Sequence, residues 1–522
     1  MNNINNEIIN IKAKIIEQAH KLIEDVDNAF VSGLAAHQVE KNLLERLMQM
    51  GYEAMKLLFE QYGTCDLGDS LELADGTLLK RLSELHKKDY LSIFGPFEIE
   101  RYVYGTRDDQ KIDYVPLDAR LQLPKQKFSY LLQNWDQSLS TEMPFKKVNE
   151  TLIQILGLSV PVSGLQRTNQ NMNQYSKNYW DNQAEIIPPE ETQIIVGSAD
   201  CKGVVIRKSV DEKQEDLLNE GTQSKPASIE SSSSKKKNGK KKMAVLGAVY
   251  TIDPNYRTPE EVLASLFRSS DDASPHANNK PRPKPITKHV RASMQRDAAD
   301  TLQPAREEIF DWLEQEYNER NPNGSNKNIL LMDGETKLWE MGDKLCLNGQ
   351  CIEILDIIHA CSYIWVCIQA LYPKNSISEN IPLVKEQVAR LLNGRADMVI
   401  RSFRWKATHK KLTGDPLKDI TTAWKYLEKN INRMKYNEYL KSGYPIASGV
   451  IEGACRNVVV DRMECSGMRW VMTGAKSMLN IRCIKLNGDW ERFINFYIAE
   501  EQKNLHPKRA ANDQNFIESM VA

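Results

Sequence analysis

The chain of 522 residues has no apolar run long enough to cross a membrane. Its most apolar segment, 351–371, is interrupted by Glu353, Asp356 and His359, whereas a spanning helix needs about 20 mainly apolar residues. The first residues, MNNINNEIINIKAK, are polar and contain no small-residue cleavage site, which argues against a secretory signal. These two absences predict a cytoplasmic protein that does not bind membranes.

Paired cysteine motifs are also missing. The nine cysteines are odd in number and irregularly spaced, which favours a reducing compartment over a disulfide framework. Cys346, Cys351, Cys361 and Cys367 lie near one another but lack the C-x-x-C spacing of structural zinc, so they are predicted to be small buried hydrophobic residues. A zinc-dependent interaction module is therefore the weakest functional interpretation.

Neither sign of charge is in excess, since 69 Lys and Arg face 70 Asp and Glu. Charge is instead concentrated locally: a polar insert at 209–242 ends in SSSSKKKNGKKK, and the segment 278–293 is rich in proline and lysine. The insert has too few apolar residues for a core and is predicted to be disordered. It is either a solvated loop or a tether that contacts DNA phosphates.

The N-terminal third reads as mainly helical. Residues 1–89 form a predicted helical arm, packed or self-associating, because 1–62 has helical periodicity. A β-hairpin at 90–104, hinged at Gly95-Pro96, opens a region that extends to 187. Its second half, 144–180, predicts two helices.

The first of these two helices ends near Gly157. The second is capped by Ser163 and exposes Gln166, Arg167, Asn169 and Gln170. A helix-turn-helix would place such side chains in a major groove, but a plain helical hairpin has the same pattern. The hairpin and these helices together are interpreted as a DNA-binding region, and a linker follows at 188–191.

From residue 192 the pattern changes to strands separated by helices, which predicts an α/β fold with a mixed sheet. The strand-like runs are TQIIVGSAD, KGVVIRK, MAVLGAVYTID, NILLMDGE and QCIEILDIIHA. The first part of this core spans 192–372. A helical insertion at 373–440 precedes the final helices at 441–500, and a tail occupies 501–522.

Three carboxylates stand out because of their positions. Asp200 and Asp333 end strand-like runs, and Glu452 lies in the first turn of the helix predicted within PIASGVIEGACRNVVVDRMECSGMRW. Their convergence would create a site for hard cations, and a pair of Mg²⁺ or Mn²⁺ ions about 4 Å apart suits phosphodiester chemistry. The alternative for Glu452 is an ordinary surface glutamate paired with Arg456.

At these motifs the sequence resembles a known family. The segments SADCKGVVIRK, LLMDGE, LDIIHA and PIASGVIEGACRNVVVDRMECSGMRW resemble the DDE transposases of bacterial insertion sequences, in particular the ISKra-type family. The resemblance implies an RNase H-like catalytic domain in which Asp200, Asp333 and Glu452 bind the metal ions. It also makes Asp356 and His359 similar to the D-x-x-H motif of Mutator-like transposases.

The expected function is therefore that of an insertion-sequence transposase. Such an enzyme binds double-stranded DNA at terminal inverted repeats, cleaves strands with Mg²⁺ or Mn²⁺, and joins the freed end to target DNA. Holding two ends together implies a homodimer or larger assembly on the nucleoid. The alternatives are an RNase H-fold nuclease or resolvase without strand transfer, and a domesticated DNA-binding protein without catalysis.

Several further residues have two interpretations. His359 is either a satisfied core histidine or a residue that supports the site. Arg456, Arg462, Arg469 and Trp470 follow Glu452 and are candidates to clamp DNA and stack on a base; alternatively, Arg462 pairs with Asp461 or Glu464 on the surface and Trp470 is core. In the helical insertion, residues that can hold DNA or a partner subunit are Arg395, Arg401, Arg404, Trp405 and Lys406.

Overall fold

The computed structural model describes residues 2–73, 76–106, 112–182, 193–208, 240–268 and 282–506. Four predicted segments fall outside these ranges wholly or in part: the linker at 188–191, residues 209–239 of the lysine-rich insert, residues 278–281, and the tail from residue 507. The chain divides into two compact units, one formed by 1–179 with 490–522 and the other by 180–489. None of the described helices is both long and apolar enough to cross a bilayer.

The first unit begins with two antiparallel helices, α1 (Asn2–Ser32) and α2 (Ala36–Tyr62). Two small sheets follow, and their strands are β1 (Ser70–Glu72), β2 (Leu78–Arg81), β3 (His86–Ser92), β4 (Gly95–Arg101) and β5 (Tyr104–Gly105). β3 and β4 form the predicted hairpin, but its turn lies at 93–94 and Gly95-Pro96 belong to β4. Gly95 has φ 144°, and this glycine-favoured conformation at the start of β4 allows the tight turn.

The remaining helices of this unit include those of the region 90–187, which the sequence analysis interpreted as DNA-binding. They are α3 (Pro116–Leu121), α4 (Tyr130–Ser140), α5 (Phe145–Leu156), α6 (Val162–Asn173), α7 (Ser176–Asp181), which crosses the unit boundary, and α19 (Trp490–Leu505). Gly157 ends α5 with φ 69°, as predicted. The Ser163 cap was wrong, since α6 begins at Val162 after Pro161 and has no side-chain cap.

Residues 490–500 were expected to belong to the α/β core, but the structure groups them with the first unit. Trp490 donates its indole hydrogen bond to Asn134 over 2.7 Å, and the Tyr497 hydroxyl bonds Gln133 over 2.9 Å. These polar anchors are buried among aromatic rings of the same unit, so α19 packs there. Sequence periodicity predicts the helix but not the unit against which it packs.

The second unit is built on a five-stranded mixed sheet, which confirms the predicted mixed α/β class. Its strands are β6 (Ile194–Ile206), β7 (Lys240–Ile252), β8 (Ile286–Ser293), β9 (Lys327–Met332) and β10 (Ile352–Leu355). They lie in the order β10-β9-β6-β7-β8, with β6, β7 and β8 antiparallel in turn and β9 and β10 parallel to β6. The last three lysines of the predicted disordered insert, 240–242, are therefore the start of β7.

Helices cover this sheet and form the predicted insertion. They are α8 (Pro259–Leu266), α9 (Gln303–Arg320), α10 (Thr336–Leu345), α11 (Ile357–Leu371), α12 (Ile377–Leu392), α13 (Ala396–His409), α14 (Gly414–Lys429), α15 (Tyr436–Lys441), α16 (Gly449–Cys455), α17 (Asp461–Met463) and α18 (Met472–Leu486). A π-helical stretch, Arg456–Val460, joins α16 to α17. Helices α12 to α15 correspond to the insertion expected at 373–440.

The core of this unit lies where the sheet meets its helices. Each of β6, β7 and β9 contains a continuously buried run, 194–199, 244–251 and 329–332, which matches the apolar runs of their sequences. Helix α9 packs on the sheet through Ile309 and Leu313, both fully buried. At its edge, Cys346 and Cys351 form a disulfide, so the prediction that they are plain buried thiols was wrong, whereas Cys367 is a buried thiol as predicted.

A buried ionic group links α9 to β8. His289 Nδ1 lies 3.0 Å from Glu316 Oε1, and Arg320 Nε donates to Glu316 Oε2 over 2.8 Å. Burial alone would raise the pKa of Glu316, but the hydrogen bond from His289 and the charge of Arg320 outweigh it and hold the pKa below its usual value. The ionised carboxylate is therefore the form that the fold stabilises.

We expect Glu316→Gln to lower the free energy of unfolding by about 3 kcal/mol near neutral pH, because it removes the charge that the buried Arg320 faces. The lowered pKa of Glu316 means that its contribution is present above the unfolded value of 4.5 and is lost as the pH falls through the folded value. Urea denaturation should therefore show the two proteins converging at acidic pH. Glu319→Gln, an exposed change on the same helix, is the control, and an equal gap at every pH would contradict the assignment.

Candidate functional site

Asp200 and Asp333 lie side by side because of the register between β6 and β9. These parallel strands pair from Ile194 opposite Lys327 to Gly197 opposite Leu330. Extending this register by three residues on each segment brings Asp200 level with Asp333, and the charge of Asp200 acts on the Asp333 carboxyl group. The prediction that Asp200 ends a strand was wrong, because β6 continues through it to Ile206 beside β7.

Asp333 is held by the turn that follows β9. Its Oδ1 accepts backbone hydrogen bonds from Gly334 over 2.7 Å and from Glu335 over 3.2 Å. Burial raises the pKa of Asp333, and the neighbouring charge of Asp200 raises it further, against the opposing effects of the Glu335 amide and His359. Two carboxylates that repel each other in a half-buried position are better satisfied when a cation lies between them.

Asp356 is fully buried and connects two helices to this sheet edge. Its Oδ1 caps α11 by accepting from the Ile358 and His359 amides, and its Oδ2 accepts from the Ser448 amide over 2.6 Å and from the Ser448 hydroxyl. The Asp356 amide in turn donates to Met332 O over 2.9 Å. Asp356 therefore holds the N-termini of α11 and α16 beside the end of β9.

His359 extends from the first turn of α11 towards the carboxylates. Its Nε2 lies 3.5 Å from Asp333 Oδ2, and its side chain is 44% exposed. The core-histidine interpretation is therefore wrong. Within the D-x-x-H segment, the Asp356 side chain accepts a hydrogen bond from the His359 amide and so fixes the start of the helix that carries His359.

Glu452 lies in the first turn of α16, as predicted, and its side chain is exposed. Arg456 does not pair with it, since Arg456 Nε lies 3.6 Å from Asp461 Oδ1. One turn after Glu452, the Cys455 thiol donates to Asp200 Oδ2 over 3.2 Å. Residues three apart share a helix face, so Glu452 lies on the side of α16 that approaches Asp200.

The three carboxylates are not assembled into a closed ligand set. Among the residues that the structure describes, no group of three His, Cys, Asp or Glu side chains is arranged to hold a metal ion. The structure brings Asp200 and Asp333 together and places His359 beside Asp333. Glu452 lies one helical turn from Cys455, whose thiol contacts Asp200.

Sequence reasoning missed two residues beside this site. Tyr426, from α14 of the insertion, directs its hydroxyl to Asp333 O at 3.4 Å and stacks on Tyr363 with 3.7 Å between ring centroids. Cys455 carried a weak signal, since it lies three residues after Glu452. No local pattern points to Tyr426, because 93 residues separate it from Asp333.

The predicted DNA-contacting residues fall into two classes. Arg462 is fully buried with its guanidinium 5.0 Å from the Trp470 ring, and Trp470 is buried with its indole donating to Met463 O over 3.0 Å. Both side chains are buried, so their DNA-clamping assignment was wrong, as was the surface position expected for Arg462, whereas the core position of Trp470 is confirmed. Arg456 and Arg469 are exposed and remain candidates.

On α6, Gln166 and Arg167 are exposed as predicted, whereas Asn169 is buried and donates to Gln137 Oε1 over 3.1 Å. The half-buried Gln170 lies beside it. The exposed residues of α6 therefore form a narrower polar surface than the sequence indicated.

In the insertion, Arg401 forms an ion pair with Asp397, and Arg404 forms one with Glu428. Trp405 is 62% exposed.

Comparison with protein-family models and with curated proteins finds no match to this sequence.

We expect Gly334→Ala to lower the free energy of unfolding by about 1–3 kcal/mol, because overpacking forces neighbouring groups apart. An added Cβ would lie 1.6 Å from the Tyr426 hydroxyl oxygen. The matched control is Gly453→Ala in α16, where a Cβ meets nothing within 4 Å and helix propensity favours alanine. Chemical denaturation of both variants tests this, and equal effects would contradict the close approach of Tyr426.

Proposed function

We propose that the protein is a DNA transposase with an RNase H-like catalytic core, in which Asp200, Asp333 and Glu452 bind Mg²⁺ or Mn²⁺. The observation that carries this proposal is the parallel register of β6 and β9, which brings Asp200 level with Asp333 when it is extended by three residues, with His359 beside Asp333. The order of the elements also supports the RNase H-like assignment. Three antiparallel strands are followed by two parallel strands separated by helices, and then by the helix that carries Glu452.

The residues present fit a hard divalent cation. Carboxylate oxygens are the ligands that Mg²⁺ prefers, and the repulsion that raises the pKa of Asp333 is relieved by positive charge. When bound, a pair of such ions activates an attacking oxygen and stabilises the leaving oxygen of a phosphodiester. In this proposal Asp200 and Asp333 would supply the first two ligands, and Glu452 would supply the third from α16.

The chain's own residues have separate tasks in this mechanism. His359 is half-exposed beside Asp333, where it can donate a hydrogen bond to a phosphate oxygen or hold the carboxylate in position. Asp356 acts on the site through α11 and α16 and touches no substrate, because it is fully buried. One site of this kind serves both strand cleavage by water and joining by a 3′-hydroxyl, since each is an in-line displacement at phosphorus.

A basic surface at the far end of β6 supports DNA binding. β6 runs about 20 Å from Asp200 to its end at Ile206, where Arg207 and Trp470 are hydrogen-bonded through their backbones. The exposed Arg207 and Arg469 lie at this end, and Lys241 lies opposite Val205 on β7, with its Nζ 3.4 Å from Glu464. Cations grouped at this distance can contact backbone phosphates of a duplex that also reaches Asp200.

Recognition of the element ends is assigned to α6, where Gln166 and Arg167 are exposed and are residue types that bond base edges. Arg456 and Arg469 are assigned to the phosphates of the strand that is cut. Because transposition joins two ends, the active species on DNA is a homodimer or larger.

One observation favours a second candidate. Glu452 is exposed and the described residues contain no complete metal-binding group, which is what a domesticated DNA-binding protein without catalysis would also show. The two candidates differ in whether DNA ends are cut, and a strand-transfer assay further separates a transposase from a nuclease or resolvase.

We expect Asp333→Asn and Glu452→Gln each to lower cleavage of a labelled element-end duplex at least about 100-fold in Mg²⁺ or Mn²⁺, because each removes a charged metal ligand. DNA binding, measured by gel shift, should be retained. Glu491→Gln is the matched control, since Glu491 is an exposed glutamate in the first turn of α19. Cleavage that persists in the Asp333 variant would remove the assignment, and binding without cleavage by the native protein would favour the domesticated candidate.

We also expect Mg²⁺ to raise the melting temperature of the native protein, because a ligand that binds only the folded state stabilises it. Asp333→Asn should lose most of this shift, since it removes one of the two repelling carboxylates. Thermal melts with and without Mg²⁺, in matched ionic strength, give a readout that does not depend on DNA. Equal shifts in both proteins would place the cation elsewhere.

A further inference from the structure

The helical hairpin formed by α1 and α2 exposes large apolar side chains. Ile9, Ile16, Ile23 and Phe30 follow one another at seven-residue intervals along α1, and their exposed fractions are 61%, 59%, 59% and 88%. No residue of α2 is buried, although the helix has 27 residues. A seven-residue apolar repeat is the pattern by which helices pack on one another.

These residues form a stripe separate from the one that joins the two helices. Among the residues of α1 whose burial is described, Ile11 and Ala29 are buried, and with 3.6 residues per turn the exposed stripe lies about a third of a turn away. On α2, Leu44 and Leu47 are 50% and 52% exposed. Helix α1 is therefore apolar on two faces, one buried in its middle and one exposed, and α2 adds exposed leucines.

The two exposed stripes lie on the same side of the hairpin. Ion pairs mark the opposite side, where Arg46 binds Asp25 over 2.5 Å and Lys56 Nζ lies 3.6 Å from Glu7. On each helix the exposed stripe is rotated in the same direction away from the contact between the two helices. Because the helices are antiparallel, the two stripes therefore lie on the same side of the hairpin. We call the surface formed by Ile9, Ile16, Ile23, Phe30, Leu44 and Leu47 the apolar face of the hairpin.

This face is of the size that a stable dimer needs. Its exposed area, with the neighbouring Val26, Val31 and Leu34, is on the order of 800 Å², the contribution of one partner to a standard interface. The largest apolar patch of a typical monomer is about 300–600 Å². A two-helix layer with a continuous apolar side is half of a four-helix bundle.

Charge within the face indicates both the occupant and its direction. On α1 the stripe contains two charged residues of opposite sign, since Lys12 lies between Ile9 and Ile16, and Asp27 lies between Ile23 and Phe30; both are exposed. Lys12 is about 30 Å from the hairpin loop and Asp27 about 10 Å. When a second copy lies antiparallel across the face, α1 packs on α1 of that copy and each Lys12 meets the Asp27 of the other copy, whereas an arrangement with both loops at the same end keeps them about 20 Å apart along the helices.

We propose that the apolar face of the hairpin binds the same face of a second copy of this chain, antiparallel, to form a two-fold four-helix bundle in the absence of DNA. The contact is isologous, so it closes at the dimer. This inference does not rest on the proposed function, because it uses only the two helices of the first unit.

The test is the molar mass of the full chain without DNA, measured by light scattering and sedimentation over a concentration series. We expect a dimer, and we expect Ile16→Glu/Ile23→Glu to raise its dissociation constant at least about 100-fold, because four apolar side chains per dimer become charged at the interface. Ile155→Glu on α5 is the matched control, since Ile155 is 60% exposed on a helix of the same unit. Circular dichroism confirms that each variant is folded.

The direction of the contact is tested by charge exchange. Lys12→Glu or Asp27→Lys alone should weaken the dimer about five-fold by placing like charges together, and the double variant should restore it. A native protein that is monomeric at all concentrations overturns the proposal and leaves the face to a different occupant. A dimer that the paired isoleucine change leaves intact overturns it also, and a double variant that does not recover overturns the antiparallel arrangement.

Discussion

The arrangement of the candidate site depends on one buried carboxylate. Asp356 is fully buried, and its side chain accepts hydrogen bonds from α11 and from Ser448, at the residue before α16. A buried carboxylate needs such partners to offset its lost hydration, so the two helix ends and the carboxylate stabilise one another. His359 and Glu452, on different helices, approach the sheet edge for this reason.

The rest of the site follows from strand register and close packing. The pairing of β6 with β9 puts Asp200 level with Asp333, and a shift of one residue would place them on opposite faces of the sheet. The lack of a side chain at Gly334 lets Tyr426 of the insertion reach the same turn. The insertion thus packs directly against the turn that carries Asp333, which gives it a structural role whatever else it binds.

Much of this organisation is visible in the sequence. Apolar runs of strand length predict the core strands, helical periodicity predicts the insertion, and the acidic residues Asp200, Asp333 and Glu452 are visible from their positions after apolar runs or at a helix start. The exposed repeat of α1 can also be read from its seven-residue spacing. The same local patterns predict the wrong environment for Arg462 and Asn169 and leave that of Trp470 open, because polarity alone does not reveal which face of an element another element covers.

The sequence by itself determined the types of the elements and the residues that can supply chemistry, since both depend on local periodicity and side-chain type. Only the tertiary structure decided the strand register, the pairing of Cys346 with Cys351, the capping of two helices by Asp356 and the approach of Cys455 to Asp200. These contacts join residues from different elements. Their energies depend on packing, burial and hydrogen-bond geometry across the whole unit, which no window of the sequence contains.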